Sequence, residues 1–402
     1  MRIGLFTSID GWGGSETYLR SLMLGLRERG QNVVLFGVGG SRLMGEMTAL
    51  GVECHVWTGG RTVTVLPTGD SSAPASRGAA RRIWHAMVLP VLPEWLKMAL
   101  GARRETRHLA RLFGAAGLDL VHVNVHGYEM AGMACRRAGI PCLAMYLTFP
   151  HDESNGFRRW LMRRTIRSYD HVTAQSDACR RAWCRRTGIS VDRTSFIWNS
   201  ADPLRFENLV ESVRRAPRDS CHVVAVGRLH AMKGFRYLIE GLAVSGDRRI
   251  QVDIVGEGPE RGALQALIDR HGLAAQVRLR GHLENPEELL GCAHVFVLPS
   301  VQFESGPAAL AEAMMACLPC LTSDFGPLPE MNLDGETGLV VPAGSSIALG
   351  NALRRLADEP ELARRFGRAA RARAMACFTR AAMVDATLAV YVRVLAARRM
   401  AA

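Results

Sequence analysis

The chain holds no run of about 18 uninterrupted apolar residues, so its sequence predicts no membrane-spanning helix. No Asp-x-Asp pair stands at the end of a strand-like run, and no His/Cys group has zinc spacing. The expectation is a protein that binds no metal. The first glycine loop reads G-W-G-G, residues 11–14, not G-x-G-x-x-G. No acidic residue follows at ribose distance, so nicotinamide chemistry has no footing. No nucleic-acid reader motif accompanies the basic charge. The ten cysteines show no pairing pattern. The start, M-R-I-G-L-F-T-S, lacks the basic-then-apolar layout of an export signal. Both features point to a reducing, cytoplasmic compartment. Cys317-Leu-Pro-Cys320 is formally C-x-x-C, but it has no second cysteine pair and no thioredoxin-like context. It reads as a helix-to-strand junction with two small buried cysteines.

What is present is an ordinary globular mixture, 48% hydrophobic and 22% charged. At 402 residues the default is two domains. The formal net charge of +12 favours anionic partners: a nucleotide diphosphate, an anionic membrane surface, or, with least support, nucleic acid.

Strand-like and helix-like runs alternate along the chain. The first half predicts strands at 2–7, 32–37, 118–124 and 142–147, with helices at 14–29, 105–116 and 129–137. The second half restarts the rhythm with strands at 222–226, 251–255, 277–280 and 295–298. Helices are expected there at 235–245, 260–271 and 307–316, and a last one at about 380–397. Such βαβ alternation implies an α/β chain with parallel, doubly wound sheets. Between residues 192 and 219 both signals lapse, which marks a hinge.

The most informative stretch is F-E-S-G-P-A-A-L-A-E-A-M-M-A-C-L-P-C-L-T-S, residues 303–323. Glu304 follows an apolar strand, and Glu312 lies two turns into the next helix. Ligands of open α/β sheets bind at the carboxyl ends of the strands. An ionised carboxylate is an acceptor only, which suits a hydroxyl-rich ligand. The helix start between the two glutamates offers backbone N–H groups to an anion.

Arg228 and Lys233 lie five apart on the loop after the strand at 222–226. Cations at a helix start are locally unfavourable unless an anion sits there. Arg offers a bidentate fork and Lys a point charge. Gly227 and Gly234 flank the pair. Gly13 and Gly14 close the first glycine loop ahead of a helix, where backbone N–H groups can face phosphate.

Six stretches, in order, resemble motifs of the retaining GT-B glycosyltransferases of family four, also described as glycosyl transferases group 1. They are G-W-G-G-S-E-T-Y (11–18), W-N-S-A-D-P-L-R-F (198–206), V-G-R-L-H-A-M-K-G (226–234), V-D-I-V-G-E-G-P-E (252–260), the two-glutamate stretch, and D-G-E-T-G-L-V-V-P (334–342). The resemblance covers nearly the whole chain. It implies two Rossmann-like domains facing a cleft. Residues 1–198 would form the acceptor side, with a C-terminal helix (380–402) crossing back to it. Residues 199–379 would bind the donor.

By the same resemblance, a UDP- or GDP-sugar is the donor and no cofactor is needed. Glu312 would hold the nucleotide ribose and Glu304 the donor sugar. Arg228 and Lys233 would face the diphosphate, and Gly256, Gly258 and Gly281 would approach the nucleotide. After Glu304 the family often has G-F-G; here Ser305, Gly306 and Pro307 stand instead. Pro307 removes a backbone donor but suits a first helical position. The family histidine has no counterpart at Tyr146, Leu147 or Thr148, and His151 is the candidate replacement, with His126 second. In the retaining front-face mechanism the leaving phosphate oxygen takes the acceptor proton. The acceptor class implied is a lipid-linked, polysaccharide or glycolipid hydroxyl. Two rivals share the fold: a nucleotide-sugar epimerase or hydrolase, and a non-catalytic scaffold subunit.

The segment 61–97 fits least well. Arg81, Arg82, Trp84, Trp95 and Lys97 surround an apolar centre. One reading is a membrane-docking element at the inner face of the cell membrane. The other is a surface loop followed by an ordinary core helix.

Overall fold

The computed structural model describes residues 1–8, 14–57, 62–65, 94–125, 130–150, 156–210, 220–283 and 285–401. The chain divides into two compact units. The first comprises Met1–Ala174, Arg180–Ile197 and Val384–Ala402; the second comprises Gln175–Cys179 and Trp198–Met383.

The first unit is built on an eight-stranded sheet of order β4-β3-β2-β1-β5-β6-β7-β8. Its strands are β1 (Arg2–Thr7), β2 (Asn32–Val38), β3 (Glu53–Trp57), β4 (Thr62–Val65), β5 (Leu120–Val125), β6 (Cys142–Tyr146), β7 (His171–Ala174) and β8 (Thr194–Phe196). All pairings are parallel except β3 with the edge strand β4. The helices are α1 (Gly14–Glu28), α2 (Arg42–Ala49), α3 (Glu94–Ala115), α4 (Ala131–Ala138), α5 (Gly156–Ile166) and, from Arg180 onward, α6 (Asp177–Thr187). Central strands such as β5 and β6 are buried along their whole length, because a parallel sheet is covered on both faces. This explains their near-continuous apolar sequence. Helix α3 starts at Glu94, well before the expected 105. The short β7 and β8 escaped the sequence reading because three or four residues carry little periodicity. The segment 61–97 falls largely outside the described residues.

The second unit carries a six-stranded sheet of order β11-β10-β9-β12-β13-β14. The strands are β9 (Cys221–Val226), β10 (Ile250–Val255), β11 (Val277–Gly281), β12 (Val295–Leu298), β13 (Cys320–Ser323) and β14 (Gly338–Val341), all parallel. Its helices are α7 (Phe235–Ser245), α8 (Arg261–Arg270), α9 (Glu287–Cys292), α10 (Ala308–Met315), α11 (Leu328–Met331), α12 (Ser346–Asp358) and α13 (Pro360–Cys377). One apolar layer joins Val223, Ile254 and Val297 to Leu238, Leu264 and Leu353. A second joins Val224, Phe296 and Leu298 to Leu310, Met314 and Phe378. Alternation along β9 feeds one residue to each layer in turn.

Helix α10 ends in a Schellman turn. Leu318 N donates to Ala313 O at 3.1 Å and Cys317 N to Met314 O at 3.0 Å. Cys317 adopts φ 68° where glycine is usual. Both cysteines of the C-x-x-C stretch are buried free thiols, and burial pushes the Cys320 thiol far up. They serve packing at this junction.

The last helix, α14, spans Arg380–Ala401. Its residues from Val384 onward belong to the first unit. Arg29 pairs with Asp385 at 2.6 Å, Arg398 with Asp170 at 2.9 Å, and Tyr391 Oη bonds His122 Nδ1 at 2.8 Å.

Candidate functional site

In the second unit the strand order winds outward in both directions from β9 and β12. The loops leaving the carboxyl ends of these two strands therefore border the topological switch point, where open α/β sheets receive ligands.

The loop after β9 is held by backbone bonds. Gly227 N donates to Val255 O at 2.9 Å, and Leu229 N to Glu257 O at 2.8 Å. A single 3-10 turn, Ala231–Lys233, follows, with the His230 side chain accepting from Met232 N at 3.4 Å. Gly234 then takes φ 68°, and a Cβ there would lie 2.1 Å from Pro299 O. Only glycine lets the loop press this closely on the one that leaves β12. Val301 N donates to Met232 O at 2.8 Å across the same junction.

Glu304 sits at that junction, 4% exposed. Its Oε1 accepts from Lys233 Nζ and, at 2.6 Å, from Ser300 Oγ. A buried carboxylate needs a charged, hydrogen-bonded partner, and Lys233 supplies it. The preceding Phe303 is exposed and holds φ 55°, an uncommon conformation for a bulky residue. That turn sends Phe303 outward and Glu304 inward. Arg228, on the same loop as Lys233, is exposed.

Ser305 Oγ bonds Gln175 Oε1 at 3.0 Å, and a Cβ on Gly306 would meet Gln175 Cβ at 2.9 Å. The S-G segment is thus shaped by close approach to Gln175. Pro307 has ψ 115° and is the N-cap, not the first helical residue as expected; α10 starts at Ala308. Its extended ψ places its ring just outside the helix.

Glu312 lies on the second turn of α10 with about a quarter of its side chain in solvent, 24%. Burial raises its carboxyl above the ordinary range, and Arg205 opposes this from 3.9 Å. Arg205 also pairs with Glu287, so one guanidinium serves two carboxylates. Gly256 N donates to Gly281 O at 2.8 Å, which brings the predicted nucleotide-side glycines of β10 and β11 together. Gly258 follows on the loop after β10, from which Glu260 N donates to Leu229 O at 3.1 Å.

The second unit therefore gathers Gly227, Arg228, Lys233, Gly256, Gly258, Glu304, Ser305 and Gly306 on loops at one edge of the sheet, with Gly281 at the end of β11 and Glu312 on the helix after Gly306. Gly14 belongs to the first unit, where it opens α1. Gly13, His126 and His151 lie outside the described residues. Among the described residues, no group of three His, Cys, Asp or Glu is placed to hold a metal ion.

The pattern described as Glycosyltransferase Family 4 matches residues 12–205, and that described as Glycosyl transferases group 1 matches residues 211–373. The chain belongs to the family 4 glycosyltransferases. The crystal structure of Anabaena HepE in complex with UDP superposes on this glycosyltransferase with a TM-score of 0.75 at 16% identity. That match covers 98% of this chain and 100% of HepE, and it shows a GT-B fold. Alpha-D-kanosaminyltransferase of Streptomyces kanamyceticus is 27% identical over 341 residues, 75% of this chain and 87% of that protein. The lipopolysaccharide core biosynthesis glycosyltransferase LpsD of Rhizobium meliloti is 32% identical over 185 residues, 46% of this chain. That stretch spans about half of LpsD, 53%.

Three residues that contact the candidate site residues escaped sequence reasoning: Ser300, Gln175 and Arg205. Ser300 ends the apolar strand-like run that precedes Glu304, and Arg205 lies within the quoted W-N-S-A-D-P-L-R-F motif, so each carried a positional signal. Gln175 carried none, because its role comes from packing 130 residues away.

Proposed function

We propose that the protein transfers a sugar from a UDP- or GDP-sugar to an acceptor hydroxyl with retention of anomeric configuration. The observation that carries this is the Lys233–Glu304 pair at the switch-point loops. Breaking the anomeric C–O bond leaves a dianionic diphosphate. Arg228 and Lys233 supply fixed positive charge to it, the kind of stabilisation that grows as the charge develops. Glu304 accepts from donor-sugar hydroxyls, and Glu312 from the ribose. The glycines of the loops at Gly227, Gly256 and Gly258 let the backbone come close to the nucleotide, and Gly14 and its neighbour Gly13 add N–H groups toward phosphate. Proton transfer from the acceptor goes to the leaving phosphate oxygen, and no separate base is required. A role for His151 is proposed only at the level of donor contact.

HepE was solved with UDP, and LpsD acts in lipopolysaccharide core biosynthesis. These relatives support a UDP-sugar donor and a lipid-linked or polysaccharide acceptor. The chemistry proposed needs no metal, so turnover should survive EDTA. Total loss in EDTA, restored by magnesium or manganese, would overturn that part.

The test is a nucleotide-sugar panel read by released nucleotide diphosphate, with and without membrane lipid extract. Release from one donor that rises with extract supports transfer. Equal release without extract points to a hydrolase or epimerase. No release from any donor points to a scaffold subunit.

A further inference from the structure

The first unit carries a basic surface that donor chemistry does not use. On α5 the side chains of Leu161, Met162 and Ile166 are buried, while Arg159, Trp160, Arg163 and Arg164 are exposed. Arg167 follows, also exposed. Trp160 is 53% exposed, more than either Phe303 or Phe196, and the Arg164 guanidinium lies 5.6 Å from its ring centre.

Two adjoining cavities open beside this helix. One, of about 720 Å³, is lined by Met133, Arg136, Trp160, Arg163, Arg164 and Arg167, with Ser168. The other, of about 270 Å³, shares Met133, Trp160 and Arg164. It adds Arg103, Arg107 and Arg137 from α3 and α4, with Thr106 and an apolar floor of Ala99, Ala102 and Leu161. No Asp or Glu lines either cavity among the described residues.

We propose that this face docks the protein on an anionic lipid surface. The arginines seat headgroup phosphates, for which the guanidinium fork is matched in geometry. Trp160 takes the interfacial position that amphipathic indoles favour, over the apolar floor. That floor and the exposed indole favour lipid over nucleic acid, whose non-specific binding rests on phosphate charge. Among the described residues no helix is long and apolar enough to cross a membrane, so the contact is peripheral.

The inference stands apart from the donor-site reading, and its test uses no turnover. The full chain is sedimented with vesicles of phosphatidylglycerol and phosphatidylcholine, and with phosphatidylcholine alone. Retention is expected only on the anionic vesicles, and it should fall as salt rises. At about a fivefold loss per arginine, R163Q/R164Q should weaken partition about 30-fold. W160A should weaken it further. Unchanged circular dichroism and melting temperature establish that the variants fold. If R163Q/R164Q does not fold, R136Q/R137Q on α4 serves instead. Equal retention of variant and parent, or no retention on anionic vesicles, would overturn the proposal. So would displacement from vesicles by inorganic phosphate, which marks a small-anion pocket, or by duplex RNA or DNA at equal phosphate, which marks a nucleic-acid surface.

Discussion

Lys233 and Glu304, 71 residues apart in sequence, form an ion pair that joins the two loops at the switch point of the second sheet. Ser300 Oγ completes the pair at 2.6 Å from the same carboxylate oxygen. Two side chains expected to serve different parts of the donor, its diphosphate and its sugar, thus hold each other in place.

The K233A variant should therefore lose stability and activity together. Removing the lysine strands a buried carboxylate, at a cost of about 3 kcal/mol. Turnover should fall about 10²- to 10³-fold, the usual loss for one electrostatic donor. Denaturant unfolding and initial rates check this. Near-parental turnover would remove Lys233 from the chemistry.

Glu312 and Arg205 give a pH-linked expectation for nucleotide binding. E312Q should weaken UDP binding about 10- to 100-fold, as for a lost charged hydrogen bond. Burial raises the Glu312 carboxyl and Arg205 opposes that rise. In R205A the carboxyl should protonate at higher pH, so UDP affinity should fail earlier on acidification than in the parent. Calorimetry across pH reads both effects, and identical pH profiles would dissociate Arg205 from Glu312.

Gly234 is the backbone counterpart of the same junction. G234A forces alanine into φ 68° and brings a methyl to 2.1 Å from Pro299 O. The expected loss is at least about 2 kcal/mol, since the left-handed region alone costs 1–2. A melting temperature equal to that of the parent would show that the loops can separate freely.

His122 sets an acid limit on the first unit. It is fully buried beside Tyr391, and burial lowers its pKa from 6.5 to about 3. A folded-state value below the unfolded one means the stabilising contribution is complete above about pH 6.5 and is lost as pH falls towards 3. Between pH 6.5 and 5 the loss should reach about 2 kcal/mol. H122Q should flatten that slope in denaturant unfolding; an unchanged slope would assign it to other groups.

The βαβ rhythm, the long strands of both sheets and the order of the six motifs were all legible in the amino acids. Each depends on residues close together in the chain: side-chain periodicity, glycine at turns, charge beside a helix start. The short strands β7 and β8 were not legible, because tertiary pairing rather than local pattern makes them strands. The N-cap position of Pro307 was missed by one residue, since only the backbone dihedral distinguishes it from a first helical position. The Lys233–Glu304 pair, the service of Arg205 to two glutamates and the packing of Gln175 against Gly306 were decided by the tertiary structure. Each joins residues that lie tens of positions or more apart, and only the strand order brings them within a few ångströms. The arginine-lined face of the first unit has the same origin: its members come from α3, α4, α5 and the residue after α5, and only the fold sets them side by side.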